Sequence, residues 1–296
     1  MSDSSFDKIT SLPNKEIQER SQTLIGFEKK FDRIHASLQL LLDKEGLIKW
    51  SKENYGKVLP IVSSIEDRHP LIIFEGDVGT GKTVTAESIA DKTTRELNKE
   101  GFFLQLSTRV RGEGLHGEMG NLVNDAFDKL KKEAGKRRLA FLLIDEADAI
   151  ATSRGTQQMH QEEKAAVNTL IQRLDELRSM KGRAIVFMST NRLTYLDEAI
   201  VRRAAIVLEF KRPDTDERFE LFKRELEGVK LSDDELNELA ELTGRNDTNN
   251  IGFSFSDLRL RLLPEVISKA FLSKKKVSLE LIKETIKVIK PSPEIK

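Results

Sequence analysis

The octet Gly-Asp-Val-Gly-Thr-Gly-Lys-Thr at residues 76–83 constrains this chain more than any other feature. It follows the apolar run 71–74, which is typical of a buried strand, and it precedes a helical pattern at 85–98. A glycine-rich turn between a strand and a helix points backbone N–H groups at phosphate oxygens, and the positive helix end faces the same anion. The sequence therefore predicts a nucleoside triphosphate site rather than a turn without a ligand.

Each residue of this loop is a predicted nucleotide contact. Lys82 supplies a positive charge to the phosphates, and Thr83 supplies a hydroxyl to Mg²⁺. The chain has no Asn-Lys-x-Asp motif of the kind that reads guanine in switch GTPases, so ATP is the predicted nucleotide. The predicted contacts are Gly76, Asp77, Val78, Gly79, Thr80, Gly81, Lys82, Thr83 and Val84.

Apolar runs at 101–106, 139–144, 184–188 and 206–210 alternate with helical stretches, including one that starts at Phe27 and one at 50–62. This alternation predicts an α/β fold, with a parallel sheet that has helices on both faces and binds ligands at the carboxyl ends of its strands.

After residue 213 the strand signals end and helix-capping patterns take over. Three such patterns start at Asp214, Ser232 and Ser254, and Pro264 is expected to kink or break the third helix. The predicted organisation is a flexible N-terminal arm at 1–24, a large α/β nucleotide-binding domain at 25–212, a small α-helical lid domain at 213–290 and a tail at 291–296.

Composition excludes several classes of function. The 49 Lys and Arg residues balance the 49 Asp and Glu residues, which argues against a nucleic-acid partner. The absence of cysteine rules out disulfides and thiolate metal sites and is compatible with a reducing compartment. The longest apolar run, 139–144, is too short to span a bilayer. We therefore expect a soluble, cytoplasmic protein with no membrane partner.

Two carboxylates at the end of the 139–144 strand supply the predicted hydrolytic chemistry. Asp145 would hold the metal, and Glu146 would activate the attacking water as general base. Asn191 ends the next apolar run and could hold the water or a γ-phosphate oxygen. Arg202 and Arg203 precede the last strand, where guanidinium groups could meet transition-state charge or form surface salt bridges.

Five motifs in order give the chain a family resemblance. Gly-x-x-Gly-Thr-Gly-Lys-Thr, Leu-Leu-Ile-Asp-Glu-Ala, Ser-Thr-Asn-Arg, Leu-Asp-x-Ala-x-x-Arg-Arg and Gly-Phe-Ser-x-x-Asp-Leu together resemble an AAA+ ATPase over about residues 25–285. The resemblance implies a homo-hexameric ring with nucleotide between subunits, and mechanical remodelling of a protein partner. It also implies that Asn191 is the first sensor and that Arg202 is the finger acting on the neighbour's ATP.

Within this family, the segments 202–210 and 258–264 resemble the pachytene-checkpoint-type remodellers of HORMA domains. Such ATPases unfold the mobile N-terminus of a HORMA protein and convert it from a closed to an open form. Bacterial members accompany HORMA-regulated nucleotidyltransferases in antiphage systems.

The sequence departs from that pattern at two places. The first pore loop usually carries an aromatic residue, whereas the aligned stretch here offers Leu115 and His116 as the predicted substrate contacts. The arginine expected early in the lid helix is replaced by Ser256, and Arg259, about one turn later, is the candidate second sensor.

A rival interpretation is a nucleotide-gated assembly scaffold or loader, as in AAA+ functions linked to DNA. In such a protein ATP assembles the complex and hydrolysis resets it. The neutral net charge argues mildly against the versions that act on DNA.

Overall fold

The strand at Leu139–Ile144 is buried at every residue, as a central parallel strand covered on both faces requires. We describe residues 5–66, 68–106, 118–152, 161–245 and 250–294 of a computed structural model. Over these residues the sheet has the order β1-β3-β4-β5-β2-β6. The strands are β1 Phe6–Leu12, β2 Leu71–Gly76, β3 Gly101–Leu106, β4 Leu139–Ile144, β5 Ala184–Thr190 and β6 Ile206–Phe210.

β1 is antiparallel to β3, whereas β3, β4, β5 and β2 pair in parallel. Side chains alternate between the two faces of these strands. One face packs against helices α6 (Glu118–Ala134) and α7 (Gln161–Glu176). Phe74, Phe187 and Phe141 stack in a row, with ring centroids 5.4 and 5.9 Å apart. The α/β prediction is confirmed.

The chain divides into two compact units. The first contains residues up to 75 and residues 83–209, and the second contains residues 76–82 and those from 210 onward. The predicted boundaries at 212 and 290 remain predictions, and the glycine-rich loop groups with the C-terminal helices.

The remaining helices of the described residues are divided between the two units. In the first unit they are α1 Lys15–Gln22, α2 Phe27–Leu42, α3 Lys44–Tyr55, α4 Pro60–Glu66 and α8 Glu198–Val201, and α5 Lys82–Glu96 begins at the unit boundary. In the second unit they are α9 Thr215–Glu225, α10 Asp233–Leu242, α11 Leu263–Leu272 and α12 Leu279–Val288. No helix among the described residues is both long and apolar enough to cross a bilayer.

The N-terminal segment corrects one prediction. The flexible arm predicted at 1–24 was wrong for β1 and α1, since β1 joins the sheet edge through backbone pairing to β3. Its connection to α5 is ionic, because Lys8 and Arg20 both contact the buried carboxylate of Glu87. The backbone N–H of Asn14 donates to Asp91 Oδ1 at 2.5 Å. A polar segment is thus ordered by partners that lie more than sixty residues away.

The helical stretch predicted at 50–62 is interrupted. α3 ends at Tyr55 and is capped by Gly56, which adopts φ +69°, and α4 begins at Pro60. Glycine suits the left-handed position that closes a helix, and proline suits the first helical position.

The capping patterns of the second unit are confirmed. Asp214 and Ser232 each form a complete capping box with the glutamate three residues later. The third helix changes at Pro264 as expected, because a π-helical turn at Asp257–Leu262 precedes α11. Proline cannot donate a backbone hydrogen bond, and a π-turn accommodates that loss.

Candidate nucleotide site

The loop at 76–82 has the backbone that its glycines predict. Gly76, Gly79 and Gly81 have φ values of +147°, +74° and +90°, which disfavour residues with a Cβ atom. Thr80 Oγ1 donates to the carbonyl of Asp77 at 2.7 Å, and this bond closes the turn. Positive φ values at glycines are compatible with a loop whose successive N–H groups face one anion.

Gly79 lies against the start of the third lid helix. A Cβ atom there would be 2.7 Å from Ser254 Oγ and 2.8 Å from Ser256 Cβ. The N–H of Ser256 donates to the carbonyl of Gly79 at 3.1 Å. Ser256 thus adjoins the loop at the position where the family resemblance expects an arginine.

Lys82 and Asp77 are both held within the second unit. Lys82 is buried, and its Nζ donates to the carbonyls of Gly76 and Asp77 at 2.7 and 2.9 Å. The guanidinium of Arg212 lies 2.6 Å from Asp77 Oδ2 and also donates to the carbonyls of Gly252 and Ser292. Arg212 was not predicted from the sequence as a residue that supports the loop, although a positive charge close behind the last strand could have indicated it.

Asp257 supports the same region from the lid. Burial raises the pKa of its carboxyl group, but hydrogen bonds from Ser292 and Ser254 and the nearby Arg261 outweigh that effect and hold the pKa below its usual value. The carboxylate is therefore ionised, and it accepts hydrogen bonds from a segment 35 residues later in the chain.

In the first unit, the predicted metal ligands are in contact. Thr83 Oγ1 donates to Asp145 Oδ2 at 2.6 Å. Ser189 Oγ donates to the other oxygen, Oδ1, because β4 and β5 are in register at Ile144 and Met188. Ser189 was not predicted as a site residue, although a polar residue at the end of the apolar run 184–188 could have indicated it.

Glu146 and Asn191 follow β4 and β5, and these strands are neighbours in the sheet. Glu146 is exposed and adopts φ 48° and ψ 49°, a left-handed conformation that costs a non-glycine residue about 1–2 kcal/mol. Such strain is concentrated at functional sites. Next to Asn191, Thr190 Oγ1 donates to Asp148 Oδ1 at 3.1 Å and so joins the two strand ends.

The paired arginines have different surroundings. Arg202 is exposed and contacts Glu198 of the preceding helix, α8, at 2.9 Å. Arg203 forms a two-point contact with Asp175, with Nε–Oδ1 and Nη2–Oδ2 distances of 2.8 and 3.1 Å. Arg202 is therefore accessible from solvent, whereas Arg203 is held by a contact within its own subunit.

Three other predicted residues lie elsewhere or outside the described part. Arg259 Nε is 2.8 Å from Glu225 Oε1 of α9, where both line an open groove with apolar residues of α11. Its role as second sensor remains a prediction. Leu115 and His116 lie outside the described residues.

Within each unit, the residues present suit one part of a nucleotide with its metal ion. Cβ atoms at Gly76 and Gly79 would collide with Phe210 and with the two serines, so these positions need glycine for this close-packed loop. The buried ammonium of Lys82 suits phosphate, and the hydroxyl and carboxylate of Thr83 and Asp145 are the oxygen ligands that Mg²⁺ prefers.

Comparison with known proteins gives concordant matches. The family described as ATPase family associated with various cellular activities (AAA) matches residues 72–212. CD-NTase-associated protein 6 of Escherichia coli (strain KTE188) is 46% identical over 289 residues, covering 97% of this chain and 96% of the relative.

Two solved structures are similar over almost the whole chain. A chain in the structure of the E. coli MS115-1 HORMA:CdnC:Trip13 complex has a TM-score of 0.90 and 38% identity, covering 98% of this chain and 97% of that one. Rhizobiales Trip13 has a TM-score of 0.74 and 30% identity, covering 97% and 99%.

Proposed function

Because this chain belongs to the AAA family of ATPases, and hydrolyses ATP as they do, we propose that it is the motor of a HORMA-regulated nucleotidyltransferase system. In this system it would remodel a HORMA-domain protein in an ATP-dependent reaction. The observation that supports this most strongly is the TM-score of 0.90 to a chain solved together with HORMA and CdnC. The similarity extends over both units, so it includes the lid as well as the nucleotide loop.

The site residues divide the chemistry among them. The backbone of 76–84 and the ammonium of Lys82 would bind the phosphates, while Thr83 and Asp145 would hold Mg²⁺. When bound, Mg²⁺ neutralises charge on the phosphate oxygens. Glu146 accepts a proton from the attacking water, and Asn191 orients that water by its amide.

Arg202 completes the site of the adjacent subunit. Its side chain is 78% exposed, and its partner Glu198 is 82% exposed, so the guanidinium is accessible to a second copy. A cation supplied in trans stabilises the transition-state charge and can contribute several orders of magnitude in rate. This requirement favours a closed ring of identical subunits, for which we propose a hexamer.

The partner is proposed to be a HORMA-domain protein, engaged through a pore loop that contains Leu115 and His116. Both residues lie outside the described part of the chain, so their role remains a prediction. A cytoplasmic location and an antiphage pathway follow from the same proposal.

A trapping experiment tests the proposal. Glu146→Gln should bind ATP without hydrolysing it and should therefore retain a co-expressed HORMA-domain protein through affinity purification. The control is Lys82→Ala, which should lose nucleotide and with it the partner. Equal recovery of the HORMA protein with both variants, or with neither, would contradict an ATP-gated grip.

The scaffold interpretation makes a different prediction for the pore. Leu115→Ala should abolish remodelling by a threading motor while basal ATPase persists, and Leu115→Met, which keeps an apolar side chain, should preserve both. A scaffold would retain its assembly activity in the wild-type protein, in Leu115→Ala and in Leu115→Met.

A further inference from the structure

The contacts of the Arg202 side chain do little to fix the direction of its guanidinium. It follows α8, a helix of four residues, and its ion pair with Glu198 is almost fully solvated. Exposed pairs with this spacing contribute little to stability, because solvent screens the two charges. The direction of the guanidinium must therefore depend on the backbone that carries it.

The next residue, Arg203, anchors that backbone. Its guanidinium contacts both oxygens of Asp175 on α7, and its Nη1 donates to the carbonyl of Ala199 at 2.9 Å. Two-point contacts between guanidinium and carboxylate fix orientation as well as distance. The anchor therefore joins the end of α8 to the end of α7.

His69 adds a third contact to the carboxylate. Its Nε2 lies 2.6 Å from Asp175 Oδ1, and it precedes β2 by two residues. The hydrogen bond from Arg203 lowers the pKa of Asp175, so the carboxyl group is ionised, while burial lowers the pKa of His69 and favours its neutral ring. A neutral ring with its proton on Nε2 donates to the carboxylate, and three chain segments meet at one group.

We propose that Asp175 is a positioning residue for ATP hydrolysis, which holds Arg203 and thereby directs Arg202 toward the nucleotide of the adjacent subunit. Arg203 is then a positioning residue as well, and it does not contact phosphate. This inference rests on the proposed role of Arg202. A displacement of about 1 Å in a catalytic group can reduce the rate about a hundredfold, so loss of the anchor should affect turnover strongly.

Asp175→Asn tests the anchor with little change of side-chain volume. We expect kcat for ATP hydrolysis to fall at least about tenfold, with the Kd for ATP unchanged, because the nucleotide loop of the same subunit is intact. Glu176→Gln is the matched control. Glu176 neighbours Asp175 on α7 and pairs with Lys131 and Arg173 at 2.6 and 3.1 Å, whereas Arg203 bonds to Asp175, so the loss of Glu176 should leave kcat unchanged.

A mixing experiment separates positioning from general damage. Asp175→Asn subunits have an intact Glu146 and a displaced Arg202. Glu146→Gln subunits lack the general base but keep Arg202 in its position. In an equimolar mixture, about one quarter of head-to-tail interfaces place an intact Glu146 in one subunit opposite a correctly directed Arg202 in its neighbour. Hydrolysis in the mixture should therefore rise well above that of either variant alone. Arg202→Ala mixed with Glu146→Gln should show the same gain.

The outcomes are distinguishable. If Arg202→Ala gains activity in the mixture and Asp175→Asn does not, the positioning role is wrong while the finger stands. A wild-type kcat for Asp175→Asn would also overturn the positioning role of Asp175. If Arg202→Ala shows no gain, the finger assignment fails, and the role of Asp175 fails with it.

Discussion

Replacing Gly79 by alanine should disable the nucleotide loop through two separable costs. The first is the left-handed backbone, φ +74°, which costs a residue with a Cβ atom about 1–2 kcal/mol. The second is steric, since the added atom would lie 2.7 Å from Ser254 Oγ and 2.8 Å from Ser256 Cβ. Overpacking of this kind adds about 1–3 kcal/mol.

Gly56 provides the control, because its φ of +69° is nearly the same and an added Cβ atom would meet nothing within 4 Å. Gly56→Ala should show the backbone cost alone and leave the Kd for ATP unchanged. If the strained loop relaxes away from its binding conformation, the combined cost in Gly79→Ala corresponds to at least about thirtyfold weaker binding. Adding Ser256→Gly should restore part of that loss.

The assay is the Kd of a fluorescent ATP analogue by anisotropy, with urea unfolding of each variant as a check on folding. If Gly79→Ala bound the analogue as well as Gly56→Ala does, the packing of Gly79 against the lid serines would not support the loop conformation, and the reasoning would be refuted.

Three further predictions concern the arm, the lid and the metal. Glu87→Gln removes the carboxylate shared by two arm cations, so limited proteolysis should cut the N-terminal segment faster than in Glu28→Gln, an exposed-pair control. The folded-state pKa of Asp257 is depressed, so its stabilising contribution is present above about pH 4 and is lost as the pH falls through the folded pKa. Asp257→Asn should therefore lose less unfolding free energy between pH 6 and pH 3 than the parent, by urea titration. Asp145→Asn should raise the Mg²⁺ concentration required for half-maximal ATPase activity, and an unchanged requirement would exclude Asp145 as a ligand.

Continuous apolar runs made the parallel strands predictable. Residues 139–144 form a strand over the predicted bounds, because a strand buried on both faces carries an unbroken apolar signal. Residues 206–210 also form a strand over the predicted bounds, although Glu209 is exposed. β1 carries no such signal. Four of its seven residues are polar, and it is ordered by backbone pairing to β3 and by the distant Glu87.

The site shows the same division. Thr83 and Asp145 could be predicted because each belongs to a local motif, and the register of the sheet then brings Ser189 beside them. Arg203 and Asp175 are 28 residues apart, and His69 is 106 residues from Asp175. No local pattern connects these residues, and they meet only where the folded chain brings Arg203 and His69 to Asp175 of α7.

We propose that ATP hydrolysis by this chain drives remodelling of a HORMA-domain protein. The most direct measurement follows a HORMA protein in complex with its nucleotidyltransferase after this chain, ATP and Mg²⁺ are added, with fluorescence reporting dissociation. We predict dissociation with the wild-type protein and none with Glu146→Gln. Dissociation at the same rate with Glu146→Gln, or in the absence of ATP, would contradict the account.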